Sequence, residues 1–169
     1  MYKKILNYFS KSEWLLWISS LTAIIIFFFL FDGSSYLTMI NSLIGATSLI
    51  FIAKGNPVGQ MLTIIFSLLY GIISCSCRYY GEMITYLGMT APMAIVSLIS
   101  WIKNPCRDNK SEVKINHLKY PEFIFAFGLT AIVTILFYFI LKKFNTSNLI
   151  FSTLSVFTSF LAVYLTFRR

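Results

Sequence analysis

The sequence predicts an all-α integral membrane protein with six transmembrane helices, and two observations carry this prediction. Of the 169 residues, 57% are hydrophobic and only 12% are charged, whereas a soluble domain carries about 25% charged residues. Six apolar stretches are each long enough to cross the bilayer hydrocarbon, which takes about 20 residues of helix. Residues 1–169 are therefore predicted to form a single membrane domain, with no room for a soluble catalytic domain.

The predicted spans, in order, are residues 14–31, 36–53, 58–75, 83–101, 122–141 and 149–167. Each is predicted as a helix because backbone groups in lipid must be hydrogen-bonded within the segment. Short turn-forming segments such as 32–35 (Asp-Gly-Ser-Ser) and 54–57 (Lys-Gly-Asn-Pro) separate most of them. Residues 102–121 form the one long loop. The first span exceeds the apolar core of a signal peptide and lacks a cleavage site, so we expect it to remain in the protein.

Lys and Arg residues are distributed unevenly between the two sides of the predicted bundle. Eleven of them fall in the N-terminal segment, the second loop, the long loop and the C-terminus, whereas Arg78, Lys142 and Lys143 fall on the opposite side. Cytoplasmic loops carry the excess of basic residues, so both termini are predicted to be cytoplasmic. The net charge of +8 is attributed to topology and anionic lipid, and no nucleic-acid partner is predicted.

Residues that could carry catalysis or bind a metal are sparse. No acidic, basic or histidine residue lies in the middle of a span, which disfavours a proton-driven pump. His117 lies in the long loop without a nucleophile beside it in the sequence. Cys75, Cys77 and Cys106 lack the second ligand pair of a zinc site. The sequence therefore predicts no catalytic residue, no metal and no cofactor, and the protein is not expected to be an enzyme.

Polar residues in four of the spans follow helical spacing. In the third span, Gln60, Thr63, Ser67, Tyr70 and Ser74 are spaced three or four residues apart, which places them on one helix face. The other stripes are Thr38, Asn41, Gly45 and Ser48 in the second span, Tyr86, Thr90, Ser97 and Ser100 in the fourth, with Pro92 nearby to loosen the backbone, and Ser152, Ser155, Ser159 and Thr166 in the sixth.

Two interpretations of these stripes stay open. Small residues and hydroxyls form close packing seams between membrane helices. Amides and phenols are different, because they need hydrogen-bond partners in a dry bundle, and a water-filled path would supply them. An amide can also bind a sugar hydroxyl, and a tyrosine ring can stack on an aromatic or cationic ring. The candidate substrate-binding residues are Gln60, Tyr70, Tyr86, Asn41 and Thr90.

Several short motifs follow one another between residues 53 and 103 in an order that matches a known family. They are Ala-Lys-Gly at 53–55, Leu-Tyr-Gly at 69–71, Tyr-Tyr-Gly-Glu-Met at 79–83, and Pro92-Met93 followed by Trp101 and Lys103. On these residues, the segment 41–103 resembles the PnuC family of nicotinamide riboside transporters, homologues of which are proposed for thiamine and riboflavin. The weaker stretch 118–169 continues in the style of that family.

The resemblance implies an architecture of two three-helix bundles joined by a linking helix, related to the SWEET sugar transporters. Residues 14–31 would be an extra N-terminal helix, 36–101 the first bundle, 122–141 the linker and 149–167 the first helix of an incomplete second bundle. Two further helices would be expected, so the chain is expected to be a truncated member or a shortened homologue. The sequence departs from the family pattern at Tyr86, where Asn is expected, and at Ala94, where Gln is expected.

The resemblance also implies a function. It predicts facilitated uptake of nicotinamide riboside or a related vitamin precursor across a bacterial inner membrane, with a downstream cytoplasmic kinase phosphorylating and trapping the substrate. A homo-oligomer, by resemblance a homotrimer, is the implied assembly. The alternative from another class is a non-transporting membrane subunit or truncated scaffold, in which the polar stripes only pack.

Overall fold

A computed structural model describes residues 8–32, 35–77, 79–106, 113, 120–146 and 149–168. Within these residues, six helices are long and apolar enough to cross a membrane. Most of the predicted long loop, with His117, lies outside the described residues, as does Arg78. The predicted fold class is confirmed.

The helices are numbered in chain order. Helix α1 comprises Lys11–Phe27 and continues as a π-helical turn at Phe28–Asp32, α2 is Tyr36–Ala53, α3 is Pro57–Ser76, α4 is Tyr80–Lys103, α5 is Tyr120–Lys143 and α6 is Leu149–Arg168. Several begin earlier than hydropathy predicts. For example, α1 begins at Lys11 because Ser10 forms a capping box with Glu13: the Ser10 N–H donates to Glu13 Oε2 at 2.8 Å, and Ser10 Oγ accepts from the Glu13 N–H at 3.3 Å.

Helix α4 contains a wide turn that the sequence prediction missed. Its α-helical segments Tyr80–Thr85 and Ala91–Lys103 are joined by a π-helical turn at Tyr86–Thr90. The Ala91 N–H donates to the Tyr86 carbonyl, five residues back. Pro92 follows directly and has no N–H to continue the normal ladder, which accounts for a disturbance of the backbone at this point. Tyr86 and Thr90 therefore lie at the two ends of an irregular turn.

The helices pack in a simple sequence of neighbours. Helix α1 packs on α2, α2 on α3, α3 on α4, α4 on α6, and α6 on α5. None of the residues Lys11–Phe27 is buried, so α1 lies at the periphery of the bundle. An apolar core forms where α4, α5 and α6 meet, around Met89, Leu141, Val156 and Phe160. Large apolar side chains on the outer faces are exposed, as expected of surfaces that contact lipid.

Ionic and backbone contacts mark one end of the bundle. Lys54 Nζ lies 2.9 Å from Glu13 Oε2, the Val113 N–H donates to the Gly55 carbonyl at 2.9 Å, and Arg168 pairs with Glu122 at 2.6 Å. We call this the Lys54 end, and the opposite end, where α3 turns into α4, the Tyr79 end. The start of α1 and the end of α6 lie at the same end, as the six alternating spans require.

Candidate functional site

Two cavities follow one another along the bundle. The Gln60 cavity, toward the Lys54 end, has a volume of about 470 Å³ and is lined by α2, α3, α4 and α6. The Tyr70 cavity, toward the Tyr79 end, has a volume of about 1020 Å³ and is lined by the same four helices and the end of α5. Thr90, Ala162 and Val163 line both cavities. The shared residues show that the two cavities adjoin each other.

The Gln60 cavity has an apolar wall with an unusual polar group. Gln60 is 3% exposed, and its Nε2 atom has no hydrogen-bond partner among the described residues. The hydroxyls of Ser48, Thr63 and Thr166 also line the cavity, and each donates to a carbonyl of its own helix, at 2.7, 2.9 and 2.8 Å. Their oxygens can therefore only accept from a solute, while Gln60 can donate to it. A carboxamide or a sugar hydroxyl group matches this arrangement.

Three aromatic rings lie where the cavities meet. Phe66 lines the Gln60 cavity, whereas Tyr70 and Tyr86 line the Tyr70 cavity. The ring centroids of Tyr70 and Tyr86 are 4.3 Å apart, and Phe66 lies 5.7 Å from Tyr70 and 5.8 Å from Tyr86. A solute moving from one cavity to the other would pass beside these rings.

The α3–α4 hairpin brings these residues together. Helix α3 ends at Ser76 and α4 begins at Tyr80, so Tyr70 and Tyr86, each six residues from that end of its helix, face each other with ring centroids 4.3 Å apart. The Tyr70 Oη atom also donates to Glu82 Oε2, one turn of α4 nearer the connection, at 2.9 Å. The helices approach closely, because a Cβ at Gly71 would lie 2.6 Å from the Leu87 side chain. Residue types and spacing in the sequence thus determine which rings meet.

Four of the five predicted binding residues line the cavities. Gln60 lines the first, Tyr70 and Tyr86 the second, and Thr90 both. Asn41 lines neither: it is 2% exposed, and its Oδ1 atom has no partner among the described residues. This placement agrees with a path for the four lining residues, while their part in binding stays a prediction.

The polar stripes divide between the two interpretations. Lining residues from the stripes are Gly45, Ser48, Thr63 and Thr166 in the Gln60 cavity, and Thr38, Ser74, Ser152, Ser155 and Ser159 in the Tyr70 cavity. Ser67 and Ser97 are completely buried and line neither cavity, so these two belong to packing seams. The stripes therefore contain both cavity-lining residues and buried packing residues.

The sequence prediction missed several lining residues. Phe66, Ala162 and Val163 are apolar, and periodicity does not distinguish a cavity wall from a lipid-facing surface. In the sequence, Glu82 stands out only as part of the Tyr-Tyr-Gly-Glu-Met motif. Its spacing of twelve residues from Tyr70, across a short connection, is the signal that could have paired the two.

Comparisons with known proteins agree with this fold. The model of the nicotinamide mononucleotide transporter family matches residues 35–169. The nicotinamide riboside transporter PnuC of Neisseria mucosa is 25% identical over 104 residues, which make up 62% of this chain and 38% of that protein. A crystal structure of the vitamin B3 transporter PnuC matches with a TM-score of 0.78 at 22% identity, covering 95% of this chain and 69% of that one.

These matches differ in what they establish. The structural match shows a shared fold, and the chain spans well under half the length of the curated relative that it matches. The family model extends over most of the chain, from the residue before α2 to the last residue. The predicted resemblance to PnuC and the multi-pass membrane architecture are both confirmed. On this evidence the chain belongs to the nicotinamide mononucleotide transporter family.

Proposed function

We propose that this chain mediates facilitated uptake of a small aromatic vitamin precursor, nicotinamide riboside or a related nucleoside or vitamin, across a bacterial inner membrane. One observation carries the proposal: two cavities of different lining adjoin at Thr90, Ala162 and Val163 and lead toward opposite ends of the bundle. Cavities of this size suit small ligands, which bind in pockets of about 300–1,000 Å³. The names of the matched relatives, transporters of nicotinamide riboside and vitamin B3, point to the same class of solute.

The proposed roles follow the chemistry of the lining groups. Gln60 donates to the substrate, and Thr90 contacts it where the cavities join. Tyr70 and Tyr86 hold an aromatic ring, and a cationic ring against either would gain about 0.5–2 kcal/mol. Asn41 is proposed to act only if the substrate displaces its neighbours, because the buried amide reaches neither cavity.

Uptake is proposed to run down the substrate gradient. No acidic, basic or histidine side chain lies mid-span in the sequence to couple transport to an ion. A cytoplasmic kinase that phosphorylates the substrate would keep its internal concentration low and prevent its return. Chemistry on the substrate is thus assigned to the kinase, and the membrane protein acts without catalysis.

The arrangement of helices follows the same proposal. The family match begins at residue 35, after α1, and α1 packs at the periphery, which supports its role as an extra N-terminal helix. Helices α2 to α4 would form the first bundle, α5 the linker, and α6 the first helix of the second bundle. Both termini are proposed to be cytoplasmic, and a homo-oligomer, such as a homotrimer, is the proposed assembly.

A second function is favoured by a different observation. Ser67 and Ser97 lie wholly within helix packing, and Trp101 Nε1 donates to the Thr166 carbonyl at 3.0 Å to tie α4 to α6. Such seams suit a non-transporting membrane subunit or scaffold, which needs packing and no solute path.

Uptake into proteoliposomes distinguishes the two functions. The purified chain is reconstituted, and entry of labelled nicotinamide riboside, thiamine and riboflavin is measured without an ion gradient. We expect saturable entry of at least one solute that an ionophore does not change, and its loss in Tyr70→Ala. Entry no faster than into protein-free liposomes for all three solutes would contradict transport and favour the subunit.

A further inference from the structure

We propose that Glu82 is the charge-selecting residue of the path, which favours solutes that carry a permanent positive charge on an aromatic ring. The inference deepens the proposed transport function and rests on it for its physiological meaning. It assigns to one residue, Glu82, the preference for a positively charged aromatic ring over a neutral ring of the same size.

Glu82 lies at the Tyr79 end of the path, beside the two tyrosine rings. It belongs to the first turn of α4 and lines the Tyr70 cavity. Its Oε2 atom accepts a hydrogen bond of 2.9 Å from Tyr70 Oη, and the Tyr70 ring lies 4.3 Å from that of Tyr86. The carboxylate and both rings therefore face one space that a solute from this end must cross.

The carboxylate is also unusual among the lining groups. Of the described residues that line either cavity, Glu82 alone carries a charge. The ion pairs formed within the described part of the chain, Lys54 with Glu13 and Arg168 with Glu122, do not involve it. Lys142 and Lys143 are exposed at the end of α5 and do not line the cavity. Among the described residues, the charge beside the rings is therefore negative.

Two effects of this arrangement favour a cation. The Glu82 side chain is exposed at the mouth of the cavity, where its negative charge attracts a cation more strongly than a neutral ring, although water screens that attraction more than it would at a buried site. The phenol that donates to a carboxylate is polarised by it, which makes the ring face more negative and strengthens its cation–π attraction. A neutral ring gains stacking alone, since it has no charge for Glu82 to attract. The pair of tyrosines provides affinity for a ring, and Glu82 provides the preference for charge.

A matched pair of small probes tests the inference on the purified chain in lipid nanodiscs. 1-Methylnicotinamide, which is methylated on the ring nitrogen, is a permanent cation, and nicotinamide is its neutral counterpart with the same carboxamide and ring. Binding of each is measured by calorimetry. We expect the wild-type protein to prefer the cation by about 10-fold or more, and Glu82→Gln to reduce that preference several-fold by weakening cation binding. The part that remains is the cation–π attraction of the two tyrosine rings. Glu82→Asp, which keeps the charge, should retain most of the preference.

Glu13→Gln is the matched control, because it removes the same charge at the opposite end of the bundle. Glutamine also satisfies the capping box with Ser10, so helix α1 should be kept, and thermal melting of every variant checks folding. The inference is overturned if folded Glu82→Gln keeps the cation preference, if Glu13→Gln loses it equally, or if the wild-type protein binds neither probe. A Glu82-dependent preference without uptake of any vitamin precursor would overturn the transport function and leave the site standing. Uptake of a vitamin precursor together with a cation preference that Glu82→Gln does not change would support the transport function and overturn the role of Glu82.

Discussion

Gly45 on α2 lies directly against the ring of Phe66 on α3. A Cβ atom at Gly45 would be 2.9 Å from Phe66 Cε2, which is shorter than a van der Waals contact. Phe66 in turn contacts the rings of Tyr70 and Tyr86 where the two cavities adjoin. The missing side chain at residue 45 therefore determines where the Phe66 ring lies, and links the packing of α2 on α3 to the shape of the path.

Replacing Gly45 by Ala should narrow the path and weaken substrate binding, with only a small loss of stability. The added methyl must push the Phe66 ring toward the tyrosines, and we expect nicotinamide riboside affinity to fall about 5- to 10-fold, with a loss of about 1 kcal/mol of stability. Calorimetry and thermal melting measure the two effects.

Two further variants test this explanation. Phe66→Leu combined with Gly45→Ala makes room for the methyl and should recover part of the affinity. Gly128→Ala on α5 is the control, because nothing lies within 4 Å of its added Cβ. Equal affinity in Gly45→Ala and the wild-type protein would show that the Gly45–Phe66 contact does not shape the binding path.

Gln60→Leu should separate stability from binding. The substitution keeps the size of the side chain and removes a buried Nε2 atom that has no partner among the described residues. An unsatisfied buried group costs about 1–3 kcal/mol, so we expect the melting temperature of the ligand-free protein to rise while substrate affinity falls. Urea- or heat-induced unfolding and calorimetry measure the two changes.

Ser97→Ala provides the matched comparison for Gln60. Ser97 Oγ is likewise buried without a partner among the described residues, but it does not line a cavity. This variant should gain stability and bind substrate normally. If Gln60→Leu behaves like Ser97→Ala in both measurements, Gln60 belongs to the packing of α3 and has no part in the path.

The helix count and four cavity-lining residues could be predicted from the sequence for one physical reason. Hydropathy and helical spacing report which face of a helix avoids lipid, and this is enough to place Gln60, Tyr70, Tyr86 and Thr90. Spacing does not report how far a side chain lies from its neighbouring helix. Asn41 therefore lines neither cavity, although it shares a stripe with Gly45 and Ser48.

The contacts that shape the site depend on which residues of neighbouring helices lie opposite one another, and the sequence does not show this. Phe66 is identified only when Gly45 is known to lie opposite it, and Glu82 only when the α3–α4 hairpin brings it to Tyr70. The π-helical turn at Tyr86–Thr90 also has no signal in hydropathy, since an extra residue in a turn leaves the apolar composition unchanged. Pro92 marks the place but not the form of the irregularity.

Tyr70→Ala should weaken substrate binding more than Tyr70→Phe. The Phe variant loses the hydrogen bond to Glu82 but keeps the ring that lies against Tyr86. We expect a modest loss of substrate affinity, about 2- to 5-fold, because the Glu82 carboxylate loses the phenol that holds it beside the rings, while water replaces part of that hydrogen bond. The Ala variant also loses ring stacking and should bind at least about 10-fold more weakly. Calorimetry on folded proteins that gives both variants the same affinity would contradict a role for the ring.

The proposed topology can be tested with the native thiols, because they lie at opposite ends of the bundle. Cys77 is exposed at the end of α3, at the Tyr79 end, and Cys106 is partly exposed beside Pro105, which pairs with Val113 at the Lys54 end. The reagent is a maleimide that cannot cross the inner membrane, applied to cells whose outer membrane has been made permeable. It should label a variant that retains only Cys77. A variant that retains only Cys106 should be labelled only after the inner membrane has been opened. The reason is the basic excess at the Lys54 end, which predicts that this end is cytoplasmic. Labelling of Cys106 before the inner membrane is opened, with Cys77 protected, would invert the topology and place Glu82 at the cytoplasmic mouth of the path.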